Sequence, residues 1–530
     1  MLFTSYSFIA FIAILFILYY IVPKKFQWKL LLIASYIFYS FAGFKYLFYI
    51  LVTTISTYYV SLKIENLHLE QSTYLKEKRD NHSREEKRSY KENNKSKRWR
   101  LLLGCLVFNF GILVVLKYTN FTIANINELL NLTSIQTEIP FVDLLLPLGI
   151  SFYTFQTMGY IIDIYRGKYQ AEKNIGKLAL FISFFPQLIQ GPISRFDDLS
   201  KTMFEEHSFS FKNFEFGIQR ILWGYFKKLV IADRILVAVN TIIQSPEIYN
   251  GAYVFIGMIF YAIQLYADFT GGIDITLGIA EVLGIKLKEN FNRPYFSKNI
   301  AEYWRRWHIS LGSWFKEYLF YPISVNKRML KLSKRARKVL GKNIGRKLPV
   351  YIASIIVWSI TGIWHGASWN FIVWGLLNCF FIILSEECKP LYEGFHKKFN
   401  LLNTTGYKIF MISRTFLLMC SIRILDCYRD VSTSIEMYGS MFTVNNFNVL
   451  YDGSLLKIGL AIEDYIILIL AVTLVFTVSI LQRKGEVRMA IRNNKLVVRQ
   501  GLIYALLILI LVFGVYGIGF DSNQFIYNQF

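Results

Sequence analysis

Residues 348–385 read LPVYIASIIVWSITGIWHGASWNFIVWGLLNCFFIILS, 38 residues without one Asp, Glu, Lys or Arg. As continuous helix they would extend about 57 Å, slightly short of two crossings of a hydrocarbon core about 30 Å thick. The run is therefore a tilted or partly inserted helical hairpin. Gly362, Gly366, Ser368 and Asn370 mark its turn region, and Lys347 and the charged sequence from Glu386 hold both ends on one side. His365 falls at the deep end, in low dielectric yet reachable from the opposite face.

The rest of the chain agrees with a membrane reading. Its 530 residues are 54% hydrophobic and only 18% charged, too apolar for a soluble domain of this length. Near charge-free runs of span length recur from end to end, and no series of alternating strands suggests a barrel. The predicted fold class is an all-α polytopic integral membrane protein with 11–13 helices at membrane depth, some of them interfacial or re-entrant. The net charge of +23 does not imply nucleic acid, because the basic residues gather in short loops between apolar runs. The strongest cluster, NKRMLKLSKRARKVLGKNIGRK at 326–347, holds ten basic residues and no acid, and reads as cytoplasmic. With Lys24, Lys25 and Lys29 after the first run, the same rule puts the N-terminus outside the cytoplasmic membrane.

Four regions are expected: N-terminal spans over 1–62, a charged cytoplasmic loop over 63–100, a core over 101–400 and C-terminal spans over 401–530. The loop, dense in Lys, Arg, Glu and Asn, reads as solvated and partly helical or disordered. The segment 121–140 reads as a mildly amphipathic outer-surface stretch. The central third holds broken sequence: FISFFPQLIQGPISRF (181–196) is interrupted by Pro186, Gly191 and Pro192, and Asp268, Asp274 and Glu281 stand in weakly apolar surroundings. Such stretches are tolerated where backbone lines a cavity or is covered by protein, so the site is expected there.

Of six histidines, His68, His82, His207 and His396 lie in polar connecting sequence and read as solvated. His308 in EYWRRWHISLGSWF and His365 in GIWHGASWNF are set among tryptophans instead. Desolvation disfavours imidazolium, so a buried His365 is neutral and able to take a proton as a general base. The neighbouring glycines let substrate approach, and a tryptophan N–H or the Asn370 amide would serve an oxyanion. A histidine satisfied by an adjacent helix accounts for the single residue equally well. Around His308, an interfacial aromatic belt competes with a cationic helix gripping a nucleotide-like donor. The five cysteines show no metal spacing and read as structural, and no GxxxxGK[ST], GxSxG or HExxH motif is present.

Four stretches in order carry a resemblance: PLGISFYTFQTMGYIIDIYRG (147–167), FFPQLIQGPISRF (184–196), YADFTGGIDITLGIAEVLGIKLKENFNRPYFSKNIAEYWRRWHISLGSWF (266–315) and WSITGIWHGASWNFIVWGLLN (358–378). Together they resemble the membrane-bound O-acyltransferase family, in the bacterial branch that includes the membrane subunits of alginate O-acetylation and of D-alanyl transfer to teichoic acid. The resemblance implies a ring of helices around a central tunnel, His365 as catalytic base and His308 as a supporting residue. Trp364, Asn370, Asp268, Gln156 and Arg305 are the expected tunnel or substrate-binding residues, with no metal. The implied donor is acetyl-CoA or another acyl thioester, with no permanently bound cofactor. The implied acceptor is an envelope polysaccharide, reached directly or through an extracytoplasmic esterase-like partner or an acyl carrier. Arg423, in TFLLMCSIRILDCYRD (415–430), stands where the family has an aromatic-Arg sequence. D-alanyl transfer is the alternative within the family; a glycan-lipid transporter and a non-catalytic scaffold are the rivals outside it.

Overall fold

Helix is the only regular structure among the described residues, which are 2–77, 83–133, 137–144 and 146–516 of a computed structural model. In lipid the backbone must satisfy its own hydrogen bonds, and helices do so segment by segment. Seven of the described helices are long and apolar enough to cross a membrane. The chain is an all-α polytopic membrane protein; further helices, such as Tyr6–Ile21 and Ile150–Tyr165, are shorter.

Two compact units form, one from Met1–Phe214 with Ile279–Leu287, the other from Glu215–Gly278 with Lys288–Phe530. In the first, the helices Leu47–Glu77 and Arg84–Leu132 take in the described parts of the charged stretch, which is expected to be partly helical. Ser83 and Glu86 form a reciprocal capping box that starts the second helix, and Tyr74 stacks on Tyr90 at 3.8 Å between ring centres. The outer-surface segment expected over 121–140 is likewise helical as far as Leu132. Beyond it the returning chain is pinned to that helix: Asn127 exchanges two side-chain bonds with the Ile139 backbone, both 2.9 Å, and Asn120 exchanges two with Val142, of 2.9 and 3.0 Å.

Three of the histidines read as solvated are half-exposed and also hydrogen-bonded to protein. His207 is hydrogen-bonded to the Thr202 carbonyl at 2.7 Å, His396 to the Tyr407 hydroxyl at 2.7 Å, and His68 to Arg98 and to the Tyr165 carbonyl. His82 lies outside the described residues. All five cysteines are free thiols, and four of them are buried, as packing residues are.

In the second unit, residues 215–225 of the helix Phe211–Tyr225 and 252–278 of the helix Ala252–Val282 approach backbone to backbone: a Cβ on Gly224 would lie 2.5 Å from the Gly271 carbonyl, and one on Gly278 2.7 Å from that of Gly217. Small residues permit this close approach between membrane helices. Phe226–Ala232 then widens into a π-helical turn, which turns both of its lysines inward. Lys227 meets Asp274 at 2.6 Å, and Lys228 meets Asp268 at 2.6 Å and Asp233 at 2.9 Å. Asp268 and Asp274, two of the three acids flagged by sequence, are thus neutralised by cations from the neighbouring helix, as buried charges must be.

Candidate active site

The charge-free run folds as the helix Lys342–His365, a turn at 366–368, and the helix Trp369–Glu387. The open end is clasped by Lys347, whose ammonium lies 2.7 Å from Glu387, while Tyr351 also hydrogen-bonds that carboxylate. Glycines let the two helices close at the other end. A Cβ on Gly375 would stand 2.4 Å from the Trp358 carbonyl, and one on Gly362 2.3 Å from that of Phe371. His365 is the last helical residue, half-buried at the end remote from the clasp.

Around its ring stand Trp374 at 4.7 Å between centroids, edge-on, Trp364 at 5.0 Å, and Phe371 at 6.4 Å, nearly parallel. The buried Trp364 neighbours both histidines, since its ring is also 6.1 Å from that of His308. His308 and His365, 57 positions apart in sequence by subtraction of their numbers, are therefore brought together around one indole.

His308 breaks an aromatic segment into two helices, Ile300–Arg306 and Ile309–Phe315. Its φ of 46° is left-handed, a conformation that a non-glycine residue adopts at a cost of about 1 kcal/mol or more and keeps only when its surroundings fix it. Asn290 does the fixing. Its carbonyl accepts from Ile309 N–H at 2.9 Å, its side-chain oxygen accepts from both Ser310 N–H and the Ser310 hydroxyl at 2.9 Å, and its amide nitrogen is 3.2 Å from His308 Nδ1. His308 is only 2% exposed, with Phe269 edge-on at 5.0 Å, and it lies outside the seven span-length helices. Burial lowers its pKa from the ordinary 6.5 to about 3, so the imidazole is neutral throughout the physiological range.

Neighbouring tryptophans are fixed in turn. Trp304 donates its indole N–H to Asn378 at 3.0 Å and packs edge-on to Trp358 and Trp374. Trp307 stacks on Tyr303, and the guanidinium of Arg423 covers its ring at 4.5 Å while donating to the Tyr303 hydroxyl at 2.8 Å. The arginine expected in an aromatic-Arg sequence thus meets its aromatics through space.

The remaining expected site residues take different positions. Asn370 donates to the Leu425 carbonyl at 2.9 Å and accepts from Ser368, which ties the hairpin turn to the helix Thr405–Tyr428. Asp268 is held by Lys228, next to the Phe269 that packs on His308. Arg305 is exposed, and Gln156 belongs to the first unit, where its amide donates to the Phe181 carbonyl at 2.6 Å. Asn290, Phe371 and Trp374 were not singled out by sequence. Asn290 was the most visible of them, a polar residue in the quoted KENFNRP stretch, but only folding sets it against His308.

A sequence model of the membrane-bound O-acyltransferase family matches residues 174–425, a segment that includes both histidines. A probable alginate O-acetylase of Pseudomonas syringae pv. tomato is 31% identical over 456 residues, 85% of this chain and 76% of the relative. A peptidoglycan O-acetyltransferase of Helicobacter pylori is 32% identical over 392 residues, 69% of this chain and 66% of the relative. A teichoic acid D-alanyltransferase of Bacillus subtilis is 30% identical over 285 residues, 52% of this chain and 66% of the relative. With both histidines standing inside the matched segment, the chain belongs to the membrane-bound O-acyltransferase family and is a multi-pass membrane O-acyltransferase.

Proposed function

We propose that this protein moves an acetyl group from a cytoplasmic thioester, acetyl-CoA or an equivalent acyl donor, to a hydroxyl of an extracytoplasmic polysaccharide or of a partner protein that passes it on. In this reading it sits in the cytoplasmic membrane with its N-terminus outside, and the basic segments at 326–347 and 483–499 face the donor. A tunnel through the fold joins donor and acceptor sides. His365 removes the proton of the acceptor hydroxyl as the oxygen attacks the thioester carbonyl. The tetrahedral intermediate then collapses, the C–S bond breaks, and the imidazolium returns its proton to the departing thiolate. The products are an ester and a free thiol, so protons and electrons balance. His308 supports the step.

The observation that carries this reading is the pairing of His308 and His365 around Trp364, with His365 half-buried at the end of a hairpin whose glycines bring the chain close. Acetyl is favoured over D-alanyl because the O-acetylating relatives align over 85% and 69% of this chain and the D-alanyl relative over 52%. The test is transfer from labelled acetyl-CoA in membranes carrying wild-type or His365→Ala protein, with insertion checked separately. A loss of about 10²–10⁴-fold is expected. Undiminished labelling of the envelope glycan by the variant sinks the reading, and label that moves only from a D-alanyl carrier replaces acetyl with D-alanyl.

A further inference from the structure

We infer that Asn290 is a positioning residue that fixes His308 as its Nε2–H tautomer, so that His308 serves acyl transfer as a hydrogen-bond donor and not as a second base. The tautomer follows from geometry alone; the donor role rests on the function proposed above.

Asn290 is fully buried, and its side-chain oxygen accepts two bonds of 2.9 Å, from the backbone N–H and the hydroxyl of Ser310. The backbone donor decides the orientation. Turning the amide over would aim its NH₂ group at an N–H that cannot invert, leaving two donors face to face in a buried place. The Asn290 nitrogen therefore faces His308 Nδ1 at 3.2 Å. The Asn290 oxygen is 3.3 Å from the same ring nitrogen, but both of its lone pairs are already engaged by Ser310. A proton on Nδ1 would find no acceptor there, whereas a lone pair on Nδ1 receives the amide N–H. The neutral ring accordingly carries its proton on Nε2.

Four further contacts make the arrangement rigid. Ile309 N–H donates to the Asn290 carbonyl and Asn292 N–H to the Arg306 carbonyl, both at 2.9 Å, so the 290–292 strand of chain is laced along the break between the two short helices. Phe269 and Trp364 confine the ring on its edges. The left-handed backbone at His308 is thus held by the same residue that sets its tautomer. An imidazole in this form can donate from Nε2 but cannot take a proton there. In the proposed reaction that suits the oxygen on which negative charge develops, where a preformed neutral donor typically contributes about 10²–10³ in rate. The labour divides between the histidines: the half-buried His365 takes the proton and the buried His308 supplies a donor.

The test uses full-length protein with ¹⁵N-labelled histidine in lipid nanodiscs. The His308 ring resonances are identified by their loss in His308→Gln. In the wild type, Nε2 should show a protonated-type and Nδ1 a lone-pair-type shift. In Asn290→Asp the carboxylate still accepts from Ser310 but now also accepts from Nδ1–H, so the two shifts should exchange and transfer should fall about 10²-fold through kcat with KM little changed. Glutamine places an amide N–H near the former Nε2 and cannot act as a base, so His308→Gln should keep activity within about tenfold of wild type while His308→Ala loses about 10²–10³-fold. A wild-type spectrum with the proton on Nδ1 overturns the assignment, even if Asn290→Asp does not fold. An Nε2–H spectrum with His308→Gln as inactive as His308→Ala, both folded, overturns the donor role. Failure of the acetyl-transfer reading itself would appear elsewhere, as full activity in His365→Ala.

Discussion

Gly366 lies so close to Phe371 that a Cβ at position 366 would stand 2.2 Å from the Phe371 ring, and that ring is nearly parallel to the imidazole of His365. The backbone at Gly366 has an extended φ of −168°, so the requirement for glycine there is steric and not conformational. The WHG sequence thus sets the distance between the catalytic candidate and the start of the next helix.

Two alanine substitutions should separate these roles. At Gly362 the added Cβ meets a backbone carbonyl, which cannot step aside, so Gly362→Ala should force the hairpin helices apart and lower stability by about 1–3 kcal/mol. At Gly366 it meets a ring, which can turn, so Gly366→Ala should keep most of the stability and lose transfer activity as Phe371 is pushed towards His365. Thermal unfolding in detergent and acetyl transfer, measured on equal amounts of folded protein, read the two effects. Full activity in Gly366→Ala would show that the Phe371 ring does not set the His365 environment.

Arg423 should prove difficult to replace. It is 3% exposed, lies on the face of Trp307, donates to Tyr303 and is 3.4 Å from Asp426. Removing it takes a cation from the buried Asp426 carboxylate, which keeps Arg429 and Tyr261 near it, and uncovers an indole, at a cost approaching that of a broken buried pair, about 3–5 kcal/mol. Arg423→Met should therefore unfold at markedly lower temperature. Arg423→Lys keeps the charge but neither the planar stack nor the fork, and should fall between. Tyr303→Phe loses a single bond to a charged partner and should cost about 1.5–3 kcal/mol.

What sequence could and could not reveal follows from how each feature is encoded. The hairpin was legible because 38 uncharged residues have few uses outside a membrane, and its turn falls at the glycine and serine that marked it. The stretch over 63–100 reads from its composition as solvated and partly helical, and the Ser83–Glu86 capping signature, present in the letters, starts one of its helices. Asp268 was visible as a charge at membrane depth, but its partner was not: Lys228 meets it from a π-helical turn, Phe226–Ala232, that no local pattern marks. Asn290 beside His308 and Arg423 on Trp307 are products of tertiary packing, joining positions that no local pattern connects.

The Lys228 cluster yields a prediction that distinguishes structure from chemistry. One ammonium serves two carboxylates, and all three side chains are at most 2% exposed. Lys228→Met leaves both acids buried without their cation and should abolish folding or cost more than about 3–5 kcal/mol. Asp268→Asn keeps a hydrogen-bond acceptor for Lys228 and leaves Asp233 as its counter-charge, so it should be much milder. If Asp268→Asn folds normally and yet transfers no acyl group, Asp268 acts on substrate and its pairing with Lys228 is not its main role.

The neutrality of His308 makes stability depend on pH in a definite direction. Its pKa is about 3 in the folded protein and near 6.5 when unfolded, so between these values the unfolded chain binds the extra proton. The stability that His308 contributes is complete above about pH 6.5 and is lost as the pH falls below it, with a limiting slope of about 1.4 kcal/mol per pH unit. His308→Gln cannot titrate. Unfolding free energies of the two proteins in detergent, measured from pH 7.5 to pH 4.5, should therefore diverge in slope below about pH 6.5, with the wild type falling more steeply by up to that amount. Parallel curves would mean that His308 gains a proton in the folded state as readily as in the unfolded one, which its burial among Phe269, Trp307 and Trp364 should forbid.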